Sequence, residues 1–383
     1  MGNSYFHQKE IYMKNLKKTS IIISSYDDIK NPYYGGGGAY AVHEIAKRLS
    51  SHFNVTVISG KYPDSKDEIM DGVLYQHIGN NLFGPKLGQI FFQLHLMFLI
   101  PKLHFSLLIE SFTPPFSTTC LQKLTNKPVI GLVHMLSGED MKRKYHLPFD
   151  QIERIGLKTY RYLISTSDNL TERLKKITPK TEVVTITNGV ERIIKTPKLR
   201  KKFKHILFIG RIEVNQKGLD LLLSAYSLIQ GSINLPLIIA GSGEEREINN
   251  LNSMIRNLNL SGKVSVIGRV LGNRKVELFQ NTACIVCPSR FETFSITALE
   301  SLANGIPLVT FDINGLRWIT NNCALKTNPF KVTLFSENIL RICRDHKLRE
   351  KVFKKGLKLS DAYSWENSFN NYLSFIDHVL NND

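Results

Sequence analysis

Short apolar runs rich in β-branched residues punctuate the chain. The first half holds "SIIISS" (20–25), "NVTVIS" (54–59), "SLLIESF" (106–112), "PVIGLVH" (128–134), "YLISTS" (162–167) and "EVVTIT" (182–187). The second half holds "HILFIGRI" (205–212), "LPLIIAGSG" (235–243), "KVSVIG" (263–268), "ACIVCPS" (283–289) and "PLVTF" (307–311). The apolar positions are continuous rather than alternating, which predicts strands covered on both faces, as in parallel sheets. Between them lie helical spacings. Ala39, Val42, Ile45, Ala46 and Leu49 share one helical face, as do Leu219, Leu222, Leu223, Tyr226 and Ile229. Strand–helix alternation predicts an α/β chain of two Rossmann-like domains facing a cleft. Ligands of such sheets bind at the carboxyl ends of the strands.

The expected boundaries are a first domain over 1–190, a linker over 191–204 and a second domain over 205–365. A closing helix over 366–383, with the broad apolar face of "YSWENSFNNYLSFIDHVL" (363–380), is expected to return to the first domain. A length of 383 residues suits two cores. The stretch "LGQIFFQLHLMFLIPKLHFSLLIE" (87–110) is the most apolar, but Pro101, Gln93, His95, Lys102 and His104 interrupt it. It is too broken for a membrane span. It reads as a buried helix followed by a strand, or as a helix dipping into a membrane surface.

The net charge of +17 changes the picture by predicting attraction to polyanions. "RIIKTPKLRKKFK" (192–204) carries seven Lys or Arg and no acid, and reads as a solvated linker or a membrane-facing patch. No nucleic-acid motif accompanies the charge, so nucleic acid is not an expected partner. The N-terminal stretch is polar and mixed, without a secretory signal or a myristoylation pattern. Five scattered cysteines suit reduced thiols. Both observations point to the cytoplasm. Cys284 and Cys287 form a C-x-x-C that reads as core packing, with a metal or redox site as the alternative.

Four loops could carry chemistry. "YYGGGGAYAVHEIAKRL" (33–49) puts four glycines before a helix, where backbone N–H groups and the helix dipole favour an anion. It matches neither the dinucleotide fingerprint nor a Walker loop. In "FIGRIEVNQKGLDLLLSAY" (208–226), Arg211 and Lys217 flank a strand end and suit a diphosphate. The turn Gly241-Ser242-Gly243 follows another strand and admits a base, a phosphate or simply a tight turn. In "PSRFETFSITALESLANGIPLV" (288–309), Glu292 and Glu300 stand eight positions apart on a segment expected to be helical from Phe294 to Ala303. Eight helical residues span about 12 Å, too far for the carboxyl pairs of glycoside hydrolysis, roughly 5–9.5 Å apart. The two are instead expected at opposite ends of one extended ligand, since a carboxylate accepts well from a sugar diol.

Taken in order, the glycine loop, "TNGV" (187–190), "GRIEVNQKG", "AGSGEE" and the E-x7-E resemble the family-4 glycosyltransferases of the GT-B fold, over about residues 20–315. The closing helix resembles that family's terminal crossover helix. The resemblance implies retaining transfer of a hexose-type sugar from a nucleotide-sugar to a hydroxyl of a glycan or lipid-linked acceptor, in cell-surface polysaccharide or glycoconjugate synthesis. It implies no metal and no cofactor, and no Asp-x-Asp occurs. Arg211 and Lys217 would hold the donor diphosphate, Glu300 the ribose hydroxyls and Glu292 the transferred sugar. Thr293, Phe294 and Ser295 would line the donor phosphates, and Gly241, Ser242 and Gly243 would complete the donor site. Gly36 and Gly37 would lie against phosphate and acceptor. His134 matches the first-domain histidine near the reacting carbon, and also reads as a buried structural histidine. Many members have Gly where this chain has Ser295. The first domain is implied to read the acceptor, and the net charge with the 87–110 stretch points to an anionic membrane inner face as a further partner. A nucleotide-sugar epimerase or a glycan phosphorylase on the same fold, or a non-catalytic binding subunit, are the competing functions.

Overall fold

The computed structural model describes residues 19–32, 35–82, 84–112, 121–199 and 202–382. The N-terminal expectation over 1–18 lies outside them, as do the first two residues of the glycine loop stretch, Tyr33 and Tyr34. The chain divides into two compact units, 1–188 with 365–383, and 189–364.

Among the described residues, unit 1 is built on eight strands: β1 (Ser20–Ser24), β2 (Asn54–Gly60), β3 (Glu68–Met70), β4 (Val73–Ile78), β5 (Leu107–Ser111), β6 (Val129–Val133), β7 (Tyr162–Ser165) and β8 (Glu182–Thr185). Their order is β3-β4-β2-β1-β5-β6-β7-β8, parallel except for β3 against β4. Side chains alternate across β1. Ile21 and Ile23 enter the core shared with the helices Gly37–Leu49 and Trp365–Asn382, while Ile22 enters the core under Phe92 and Leu96 of the helix Gly84–Leu99. Both faces are therefore dry, which is why the strands read as continuous apolar runs.

In unit 1, two strands escaped the apolar-run criterion. In β4, Gln76 and His77 interrupt the run, and β3 is a three-residue edge. Asp71 and Gly72, both at positive φ (50° and 79°), make the turn between them. An Asp-Gly pair between short runs is the hairpin signal that could have revealed it. The segment 87–110 resolves into the helix Gly84–Leu99, a 3₁₀ turn and β5.

Trp365 opens the closing helix and belongs to unit 1, one residue before the boundary expected from the sequence. It is buried, edge-on to Tyr40, with the Arg48 guanidinium over its ring. A large aromatic with such neighbours follows its core rather than the preceding loop.

Unit 2 carries β9 (His205–Ile209), β10 (Leu237–Ala240), β11 (Val264–Val266), β12 (Thr282–Cys287), β13 (Leu308–Phe311) and β14 (Leu325–Thr327). All pair in parallel, in the order β11-β10-β9-β12-β13-β14. One continuous core includes β9, β12 and the helix Leu219–Ile229. The order reverses direction beside β9 and β12, where doubly wound sheets bind ligands. The basic run is not a free linker. Ile193 and Ile194 pack on this core, Asn304 Oδ1 accepts from the Ile194 N–H, and the Lys204 N–H donates to the Asn281 carbonyl. Its isoleucines gain more from burial than a solvated tether would allow. Cys284 and Cys287 are buried on β12. Three residues apart on a strand they face opposite sides, Cys284 toward Cys343 and Cys287 toward Ser289 and Ser295.

Candidate functional site

In unit 2 the loops after β9 and β12 meet. Glycine at 218 holds φ +65° between the short helix Val214–Lys217 and the helix Leu219–Ile229. A Cβ there would stand 2.0 Å from the Pro288 carbonyl oxygen, so only glycine lets the two loops touch. Arg290 bolts them together. Its guanidinium donates to both Asp220 oxygens (2.7 and 2.6 Å) and to the Asn215 carbonyl (2.7 Å), and its N–H donates to the Gln216 carbonyl. Neither Arg290 nor Asp220 stood out as a functional group in the sequence, because this pairing spans 70 residues.

This joint brings Lys217 to Glu292. The ammonium donates to Glu292 Oε1 at 2.7 Å, and the Ser289 hydroxyl donates to the same oxygen at 2.7 Å. The side chains are 18% and 10% exposed, so the pair is largely withdrawn from water. Glu300, on the helix Ile296–Ala303, has its own cation: Lys275 Nζ lies 2.6 Å from Oε1. Lys275, on the helix Gly272–Gln280, was not singled out by its sequence context. Glu292 and Glu300 are thus held by separate lysines. Arg211 is exposed and turns toward Glu213 (3.0 Å) and Gln216 (2.9 Å).

The helix between the two carboxylates starts at Ile296, two residues later than its pattern suggests, because Ser295 occupies the cap. Ser295 sits at φ +66°, and its Oγ accepts from the Ala298 N–H at 3.3 Å. Phe294 is buried and stacks on Trp318 (4.9 Å, 17°), whose indole N–H donates to the Phe294 carbonyl. Left-handed backbone at a non-glycine residue costs about 1–2 kcal/mol, and loss of a serine cap to alanine costs about 1 kcal/mol, to glycine a few tenths. Ser295→Gly is therefore expected to melt no lower than the parent chain, and Ser295→Ala lower than both. Thermal melting of the three proteins checks this order.

The Gly241-Ser242-Gly243 turn has a packing cause for its glycines. Cβ atoms would meet the carbonyl oxygens of Gly210 at 1.7 Å and Ile212 at 2.3 Å. The Ile212 N–H donates to the Ser242 carbonyl, tying this turn to the loop after β9.

In unit 1, the glycine loop behaves differently. Gly36 caps the helix Gly37–Leu49 at φ −86°, and a Cβ on it would meet nothing within 4 Å. At Gly38 a Cβ would only reach ordinary contact with Asp27 and His134 (3.7 and 3.9 Å). Internal packing does not demand glycine at either position. His134 follows β6, half-buried, with Nε2 3.2 Å from the Ser111 hydroxyl at the end of β5. Desolvation pushes its pKa down to about 4, so its ring is neutral at neutral pH. The loop after β1 is anchored by buried Asp28, which accepts from the Lys30 N–H (2.6 Å) and Tyr62 hydroxyl (3.3 Å) and lies 3.4 Å from His77 Nε2. The pair Asp27-Asp28 at a strand end was the signal for this anchor.

Two doubly wound α/β units, each on a sheet that is parallel but for the β3 edge, define the GT-B class. Known proteins agree on that fold. Sucrose-phosphate synthase from Thermosynechococcus elongatus superposes with a TM-score of 0.82, 17% identity, and coverage of 96% of this chain and 100% of that one. Anabaena HepE in complex with UDP-glucose gives a TM-score of 0.74 and 14% identity over 94% and 99% of the two chains. Residues 35–192 match Glycosyltransferase Family 4, and residues 189–359 match Glycosyl transferases group 1. The chain belongs to this glycosyltransferase family. An uncharacterized glycosyltransferase of Methanocaldococcus jannaschii is 30% identical over 232 residues, 55% of this chain and 59% of the relative. The chain spans about half the length of the curated relatives it matches.

Proposed function

We propose that the protein transfers a hexose-type sugar, with retention, from a nucleotide-sugar to a hydroxyl of a glycan or lipid-linked acceptor, without a metal. The observation that carries this reading is the Lys217–Glu292 pair locked between the loops after β9 and β12. In this reading Lys217, joined by Arg211, neutralises the donor diphosphate, Glu292 accepts from the sugar hydroxyls and Glu300 from the ribose diol. Thr293, Phe294, Ser295 and the turn Gly241-Ser242-Gly243 complete the donor site. Unit 1 handles the acceptor, through neutral His134 and the Gly36-Gly37 loop; beside Gly36 there is room that the chain itself does not fill.

The bond from the sugar's anomeric carbon to the leaving diphosphate breaks, and a bond to the acceptor oxygen forms on the same face. The acceptor proton passes to the leaving phosphate oxygen. The chain's contribution is positioning and stabilisation of the charge that develops on the diphosphate. The test is a panel of UDP-, GDP- and ADP-sugars assayed in EDTA. One donor is expected to turn over, and both Glu300→Ala and Lys217→Ala to abolish it. Intact activity in both variants would sink the site assignment, and dependence on added inorganic phosphate would favour a phosphorylase.

A membrane location has a specific observation in its favour. On the helix Gly84–Leu99, Leu87, Ile90, Phe91, Leu94, Met97 and Phe98 recur at helical spacing and are exposed. No Asp or Glu occurs between Asp71 and Glu110, and Lys102 follows the helix. That combination suits the surface of an anionic bilayer at the inner face of the membrane, and no described helix is long and apolar enough to cross one. The protein is expected to float with anionic vesicles, and Leu94→Glu/Phe98→Glu to stay behind. Equal flotation of the two proteins would remove this reading.

A further inference from the structure

The proposed ribose contact leaves Lys275 without a role. Its ammonium is held from two sides. Glu300 Oε1 lies 2.6 Å away, and the ring of Phe279, one helical turn on, has its centroid at 5.4 Å. Phe279 is fully buried, and the side chains of Lys275 and Glu300 are only 19% and 16% exposed. A lysine anchored on a buried ring cannot swing freely, so it defines where one carboxylate oxygen stands. Accepting from a vicinal diol requires both carboxylate oxygens in one plane with the two hydroxyls. Each oxygen has two acceptor directions. The lysine uses one of them on Oε1, which leaves Oε2 and the second direction of Oε1 for a ligand.

We infer that Lys275 is a positioning residue that orients Glu300 for the vicinal diol of a ribonucleotide, and so makes the site prefer a ribonucleoside diphosphate to its 2′-deoxy counterpart. This rests on the reading of Glu300 as the ribose acceptor. A lysine that met the phosphates would behave differently, because its loss would weaken both nucleotides alike.

The experiment is calorimetric titration of the full chain with UDP and 2′-deoxy-UDP, and with GDP and 2′-deoxy-GDP. The parent chain is expected to favour the ribonucleotide that it binds by about tenfold, as for one hydrogen bond to a charged group. Lys275→Met is expected to shrink that ratio below about threefold with the 2′-deoxy affinity unchanged, and Lys275→Arg to restore part of it. Glu300→Ala is expected to bring the ratio to one whether residue 275 is Lys or Met. If Glu300→Ala removes the preference and Lys275→Met keeps it, the inference falls while the ribose reading stands. If Glu300→Ala also keeps it, the ribose reading itself falls. A parallel loss of both nucleotides in Lys275→Met and Lys275→Arg overturns the positioning role.

Discussion

Lys217→Met is expected to lower turnover of the matched nucleotide-sugar by about 10²–10³-fold, the range for removing one preorganised charge from a site that stabilises a leaving group. Methionine keeps most of the side-chain volume, so the change isolates the ammonium. Stability should fall as well. Glu292, 10% exposed, would keep only the Ser289 hydroxyl as a side-chain partner among the described residues, and a withdrawn carboxylate left unpaired costs up to about 3–5 kcal/mol, less here because both groups touch water. Adding Glu292→Gln separates the two effects. The double variant should recover most of the lost melting temperature and none of the turnover. Turnover within tenfold of the parent in Lys217→Met would show that the lysine serves the carboxylate alone.

The second large effect is expected at Gly218. Alanine there meets two penalties at once: a left-handed backbone at φ +65°, and a Cβ 2.0 Å from the Pro288 carbonyl oxygen. The first costs about 1–2 kcal/mol. The second cannot be relieved by a side-chain rotation, since the obstacle is backbone, so the loops after β9 and β12 must separate. A total near 3 kcal/mol lowers the melting temperature by about 6–12 °C in a domain of this size. Because Pro288 leads directly into Ser289 and Glu292, activity should fall with stability. Gly36→Ala is the control. It has ordinary φ and an empty surround, so only the poorer helix cap that alanine makes, under about 1 kcal/mol, should lower its melting temperature. Differential scanning calorimetry of the two variants decides the point, and equal melting would refute the packing account.

These two glycines show where reading the chain as a string reaches its limit. In the sequence both are simply glycines before a helix, one in "GGGG" and one in "QKGLD". In the fold, one is compelled by a carbonyl 70 positions away and the other is left open. The same holds for the carboxylates. The spacing of Glu292 and Glu300 already argued against a hydrolytic pair, but their lysines, Lys217 and Lys275, come from two different helices.

Periodicity was enough for most strands of both units, because a strand covered on two faces must be apolar throughout. It failed at β4, whose polar Gln76 and His77 break the run, and at the three-residue β3 and β14. What the chain order alone determined were the two α/β halves and the loops that carry cations, glycines and acids, since these depend on local patterning. The partner of each charge, the anchoring of the basic run and the unit that claims Trp365 were decided by tertiary structure. Those choices rest on burial and on distances between residues far apart in sequence, which no local pattern encodes.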